Sequence, residues 1–240
     1  MKRFLSIILI ASLILSLSFT SFAENKDNTV NTMMKQNNIL KAKNKLDRIK
    51  KDKDFVIVSE GNAGSYSVVP SKNVKDKKTY LAKLEEVRAQ DDSYILEDTT
   101  SRSVYDSFIR NGFSSVAYGD WAFVTGEEIT YNGDSFANWL GDSPYYADKI
   151  DSSDTFNYGY VGLSLSIGSA DAGGTLTSTS SGCKITYPTI EDNWSVDHHF
   201  TNIYARAYVF TSTTELADAT FTFGGSSYTI QSSKYQLTPH

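Results

Sequence analysis

The densest set of side chains able to do chemistry is Glu191-Asp192-Asn193-Trp194-Ser195-Val196-Asp197-His198-His199. Two imidazoles and three carboxylates in one short run can supply a general base with its orienting acid, or ligate a metal. The spacing limits both. A strand through Val196–Phe200 turns successive side chains to opposite faces, so His198 and His199 cannot share one ion. H-E-x-x-H and H-x-x-x-H pairs are absent. The expectation is one histidine on a wet face and one half-buried with a hydrogen-bond partner. A hydrolase or metal site at Asp197-His198-His199 is the enzymatic alternative.

Asp148, Asp151, Asp154 and Asn157 fall every third residue in a Ser-rich stretch read as a loop. Hard oxygen donors at short range suit Ca²⁺. The alternating D-x-D-x-D-G core of an EF-hand loop is missing, so solvated loop carboxylates are expected. Asp148, Asp151, Asp154, Asp197 and His198 are the candidate metal ligands, and Ca²⁺ is the one ion they suggest. No G-x-S-x-G elbow marks a serine nucleophile. Cys183, the one cysteine, reads as a small core residue. Glu127-Glu128 are adjacent on a turn, whereas glycosidase carboxyls face each other across a cleft. Catalytic residues are therefore not assigned.

Aromatic side chains are the remaining chemical feature. Trp121, Trp139, Tyr145, Tyr146 and Trp194 lie near turns or loop segments. Flat rings there can stack on sugar rings or anchor a protein partner. These five are the candidate ligand-binding residues.

The elements that must position these groups are strands. Tyr158, Tyr160, Val161, Leu163, Leu165 and Ile167 lead a stretch of period two, and Cys183, Ile185 and Tyr187 repeat it. Ile203, Ala205, Ala207 and Val209 alternate with Tyr204, Arg206, Tyr208 and Phe210. Phe221 and Phe223 pass through Gly224-Gly225 to Tyr228 and Ile230, a hairpin signature. Asn132-Gly133 reads as a tight turn. Phe136, Trp139 and Leu140 are spaced for a helical turn capped by Asp134 and stopped by Gly141. The fold expected is mainly β: a C-terminal antiparallel β-sandwich or barrel over 91–240, preceded by a small α+β N-terminal segment.

Within that segment, Ile39, Ala42, Leu46 and Ile49 make a helical stripe, with Lys41, Lys45, Arg48 and Lys51 on other faces. Residues 24–54 thus read as a basic arm, flexible and then helical. Residues 55–90 read as a hairpin followed by a helix. The hairpin pairs Phe55–Val58 with Ser65–Val69 through Gly61-Asn62-Ala63-Gly64. The helix carries Tyr80, Leu81, Leu84 and Val87, with Thr79 as N-cap.

Lys2-Arg3, the apolar run Phe4–Phe19 and the small residues around Ser21-Phe22-Ala23 have the layout of a secretory signal peptide over 1–23. The run is shorter than the ~20 residues of a membrane span. The formal net charge of −5 conceals an asymmetry. Residues 24–90 carry 15 Lys/Arg against 9 Asp/Glu, and residues 91–240 carry 6 against 19. Of 31 aromatics, 25 lie after residue 90, so the basic arm lacks the rings that would stack on nucleic-acid bases. A single cysteine leaves core packing to hold an exported domain together.

These features predict a secreted, extracellular or envelope-associated protein with no transmembrane segment in the mature chain. It is expected to be a non-catalytic module for a cell-envelope polymer, glycan or protein, with residues 39–53 drawn to an anionic envelope. A secreted pore-former is the other reading, with a hairpin drawn from Val161–Ser181, although Thr175–Ser181 lacks a continuous apolar face.

Overall fold

The computed structural model describes residues 32–89, 100–110, 112–125, 128–162, 166–171 and 173–237. Residues 1–23, read above as a signal peptide, residues 24–31 and Glu127 lie outside them. Residues 1–37 and 38–240 form two compact units. Of the first, the described residues 32–37 are helical.

The second unit is two antiparallel sheets with helices over part of one of them. In this unit, helix α1 (38–51) leads to strands β1 (Phe55–Glu60) and β2 (Tyr66–Pro70), then helix α2 (Lys77–Ala89). The strands that follow are β3 (Thr100–Arg110), β4 (Phe113–Thr125), β5 (Glu128–Trp139), β6 (Ala147–Val161), β7 (Ser166–Asp171) and β8 (Thr175–Ser178). The last are β9 (Gly182–Thr186), β10 (Ile190–Asn193), β11 (Ser195–Arg206), β12 (Val209–Phe223) and β13 (Ser226–Leu237). The first sheet runs β1-β2-β11-β5-β4-β3, with β7 on β11. The second runs β13-β12-β6-β9-β8, with β10 on β6. The β-sandwich expectation holds, in open rather than barrel form. No helix among the described residues is long and apolar enough to cross a membrane.

Three apolar clusters hold these layers together. Ile129 and Tyr131 of β5, Phe200 and Ile203 of β11, Phe156 of β6 and Ile185 of β9 pack between the sheets. Val196, Ala137, Ile150, Phe221 and Ile230 pack beside them. Leu46 and Ile49 of α1, Tyr80 and Leu84 of α2, and Tyr66, Val68 and Trp194 close the helix-covered face. The hairpin 55–70 is thus not a separate segment. β2 pairs directly with β11, opposite His198 and its neighbours. Gly64, at φ 90°, passes so close to α1 that a Cβ there would lie 2.8 Å from the Ala42 Cβ.

β11 is the central strand of the functional argument, and a bulge sets its faces. Val196, His198 and Phe200 point between the sheets, and Asp197 and His199 point to the helices. The ladder shifts register between Phe200 and Ile203, where Asn202 takes φ 55°, a conformation Asn tolerates better than most residues. Phe200 and Ile203 therefore both reach the inter-sheet core. Gly224 and Gly225, both with positive φ, form the expected two-residue turn between β12 and β13.

Several local expectations are corrected. Asn132-Gly133 is no turn and Phe136–Leu140 no helical turn, because Asn132, Gly133 and Phe136–Trp139 belong to β5. β5 is covered on both faces, so its apolar residues do not alternate cleanly and mimic a helical period. Asp148–Asn157 is strand β6, not a loop. The α2 cap is Asp76, not Thr79: its carboxylate accepts from Lys78 N at 3.0 Å and from the Thr79 hydroxyl at 2.6 Å. Among the described residues of 161–181, β7 and β8 do not pair with each other. The chain leaves the second sheet at the end of β6, pairs with β11 as β7, and returns as β8.

Candidate functional site

His198 and His199 lie in adjacent pleats of β11 and enter different networks. His199 Nδ1 stands 2.9 Å from Asp134 Oδ1, and Lys45 Nζ reaches both Asp134 oxygens at 3.0 Å. Tyr66 stacks on the His199 ring, 5.1 Å between centroids. Two residues along the same face, Asp197 pairs with Arg88 of α2. The Arg88 guanidinium lies 3.9 Å over the Phe136 ring. Asp134 is held well below the usual carboxylate range by Lys45 and His199, which outweigh its burial. Burial pushes Asp197 up, against the pull of Arg88. This is a charge-matched clamp between α1, α2 and the sheet. Lys45 is therefore buried, not on a solvated face of the basic arm. It sits between Ala42 and Ile49 in the i, i+3, i+4, i+7 stripe, which is the signal that marks it in the sequence.

His198 lies on the other face. Ser67 Oγ is 2.7 Å from Nδ1, and Ser152 Oγ of β6 is 2.7 Å from Nε2. The Tyr187 ring stacks on the imidazole at 3.5 Å between centroids. The distances are those of a nucleophile, a base and an orienting group. Burial, however, lowers the His198 pKa to about 3, so the ring is a poor base at neutral pH. The cleft beside it, lined by Ser115, Ser135, Ser152 and Asp218 among others, has room for about one water molecule. The neutral ring bridges the two sheets as donor on one nitrogen and acceptor on the other.

The carboxylates proposed as metal ligands are dispersed. Asp148 accepts from Gly224 N at 2.6 Å, and Asp151 from the Thr189 hydroxyl at 2.6 Å. Asp154 is buried between the sheets, and Asp197 is on the far side of the first sheet with Arg88. Among the described residues, no three His, Cys, Asp or Glu side chains gather as a metal group. Alternation along β6 separates the aspartates that a loop would have allowed to converge. Cys183 is buried in the inter-sheet core, and burial pushes its thiol up to about 12. Glu128 is buried against Arg206.

The aromatic candidates separate by place. Trp194 is 0% exposed, edge-on to Tyr80 at 5.3 Å, and is no surface ligand residue. Trp121 lies in β4 opposite Tyr131, and its side chain is outside the described residues. Trp139, Tyr145 and Tyr146 meet at one end of the sandwich. There Trp139 packs on Phe113 (4.7 Å) and Phe223 (5.2 Å), and Tyr228 on Phe113 (5.7 Å) and Phe223 (6.1 Å). Tyr228 is 51% exposed. Phe223 and Tyr228 flank the Gly224-Gly225 turn, a position from which the sequence could have flagged them.

Lys77, the first residue of α2, fastens this end. Its ammonium donates to the carbonyls of Trp139 (3.0 Å), Gly141 (2.7 Å) and Tyr145 (3.2 Å). It lies 4.3 Å over the Tyr145 ring and 5.3 Å over that of Trp194. Burial lowers its pKa to about 8, partly countered by Asp142. The Trp139 Nε1–H donates to Pro144 O at 2.7 Å, and its ring leaves no room for a Cβ at Gly141. Substituting Lys77 with methionine should release residues 140–146 while the sheets stay closed. Hydrogen exchange of those amides should quicken about tenfold, with β11 amides unchanged. Equal exchange in both proteins would show that Lys77 does not hold the loop.

No family model matches the chain, and no curated protein matches it. Three solved chains do. One comes from a structure described as manganese lipoxygenase of Gaeumannomyces graminis with part of zonadhesin of Komagataella pastoris. It is 10% identical, covers 77% of this chain and 96% of its own, and has a TM-score of 0.23, so it carries no argument about fold or function.

Proposed function

We propose that the protein is an exported, non-catalytic β-sandwich module whose aromatic end binds a glycan or glycan-containing envelope polymer. The observation behind this reading is the ring cluster of Trp139, Phe113, Phe223 and Tyr228, with Tyr228 half open to solvent. Sugar rings present C–H faces that stack on such surfaces. Among the described residues Asp134, Asp197, His198, His199 and Cys183 are buried, and these histidines and aspartates are engaged with other side chains, which favours binding over hydrolysis. Export rests on the signal-peptide layout of residues 1–23. The basic helix contributes less to envelope attraction than its sequence implied, since Lys45 is committed to Asp134 and Lys50 to Glu60.

The test is retention of the purified chain lacking residues 1–23 on a glycan panel and on isolated cell wall. Tyr228→Ala and Trp139→Ala should each weaken retention about tenfold or more. No retention of the parent chain on any of these would refute the reading.

A further inference from the structure

The two faces of β11 treat buried charge in opposite ways. On the helix-covered face, Asp134 and Asp197 are answered by Lys45 and Arg88. Between the sheets, Asp154 of β6 and Glu215 of β12 are buried, and among the described residues no ammonium or guanidinium bonds to either. The β6–β12 ladder sets Asp154 opposite Ala217 and Glu215 opposite Phe156. The two carboxyls are thus diagonal neighbours on one face of the sheet.

Their hydrogen bonds leave a deficit. Asp154 Oδ2 accepts from the Ser135 hydroxyl at 2.7 Å and the Tyr187 hydroxyl at 2.6 Å. Glu215 Oε2 accepts from the Tyr131 hydroxyl. The second oxygens, Asp154 Oδ1 and Glu215 Oε1, are buried with no donor. The titratable and charged groups around the pair are Tyr131 from β5, with Asp134 across that sheet, and Asp218 from β12. Among the described residues, Tyr158 of β6, Cys183 of β9, Tyr187 and the neutral ring of His198 complete the set. None is a cation at neutral pH. Two ionised carboxylates there would meet both a desolvation cost and mutual repulsion.

We infer that Asp154 and Glu215 make closure of the two sheets depend on a bound proton. Burial raises the Asp154 pKa to about 6, and burial and then Asp154 raise that of Glu215 well above its ordinary value. The sign follows from linkage. A carboxyl with a raised folded-state pKa contributes stability that is present below its unfolded value and lost as pH rises through the folded one. The loss therefore begins near pH 4 and continues through pH 6 and above. On the charge-matched face Asp134 behaves oppositely and loses its contribution only in acid, while Asp197 there is raised by burial, a contribution that the Glu215→Gln comparison leaves in both proteins. Moving from mild acid to neutral or alkaline medium loosens the sandwich between its sheets while the helix clamp persists.

The experiment is urea unfolding of the full chain and of Glu215→Gln at several pH values from 5 to 8. The parent's folding equilibrium constant should fall with pH, by about tenfold per unit where one proton is linked. In the variant the fall should flatten, and at pH 8 the variant should be the more stable protein. A parent constant that is level or rises with pH would overturn the inference, as would an undiminished slope in the variant. The comparison isolates the pair from the helix-covered face, His199 included. If Glu215→Gln does not fold, the infrared band of a protonated carboxyl in the parent decides instead. It should persist at neutral pH, and its absence there would overturn the inference.

Discussion

Replacing Arg88 with methionine should lower the stability of the folded chain by about 3–5 kcal/mol, the cost of leaving a buried charge without its partner. Asp197 is wholly buried, and its Oδ2 already lacks a hydrogen-bond donor. Without the guanidinium, Asp197 must be protonated or exposed, and Phe136 loses the cation on its ring. Arg88 is also a main tie between α2 and β11, so the helix should loosen first. The double substitution Arg88→Met with Asp197→Leu should recover most of the loss, because it removes both charges and fills similar volume. Urea unfolding with tryptophan fluorescence measures both. If Arg88→Met lay within about 0.5 kcal/mol of the parent, the range of an ordinary surface substitution, the clamp would have no energetic role.

Truncating Trp194 to alanine should cost a similar amount, about 3–5 kcal/mol, for a different reason. Its indole is fully enclosed by the cluster that joins α1, α2, β1 and β2, with Tyr80 edge-on and Lys77 above the ring. Removal leaves a cavity that rigid neighbours cannot refill. The folded fraction should still be retained on glycan or cell wall as the parent is, since Trp194 has no exposed surface. Tyr228→Ala should do the reverse, with stability within about 0.5 kcal/mol of the parent and retention reduced. Measuring unfolding and retention on both proteins separates core from surface. A Trp194→Ala protein of parental stability would contradict its place in the core.

Parts of the second sheet were legible where its strands keep one dry face. Tyr158, Cys183 and Ile185 alternate with polar residues, and Gly224-Gly225 announces the last hairpin. The opposite facing of His198 and His199 also followed from strand geometry alone. β5 was misread because Phe136 and Trp139 pack on different layers, one under Arg88 and one against Phe113. β6 was misread because Asp154 is an acid at a core position, where alternation predicts an apolar residue. Lys45 was assigned to solvent for the same reason: a charge in an apolar stripe looks like an interruption.

The sequence by itself determined the Gly224-Gly225 turn, the local period of several strands, the lopsided charge and a signal-peptide layout, because these depend on residues close along the chain. The tertiary structure alone decided what each charged side chain meets. Lys45 and Asp134 are 89 positions apart, Arg88 and Asp197 are 109, and Tyr131 and Glu215 are 84. Those meetings follow from the order in which strands cross between two sheets, which no short window of sequence encodes. Burial then sets the chemistry. The same side chain is a solvated acid in a loop, half of an ion pair beneath a helix, or a proton-holding acid between two sheets.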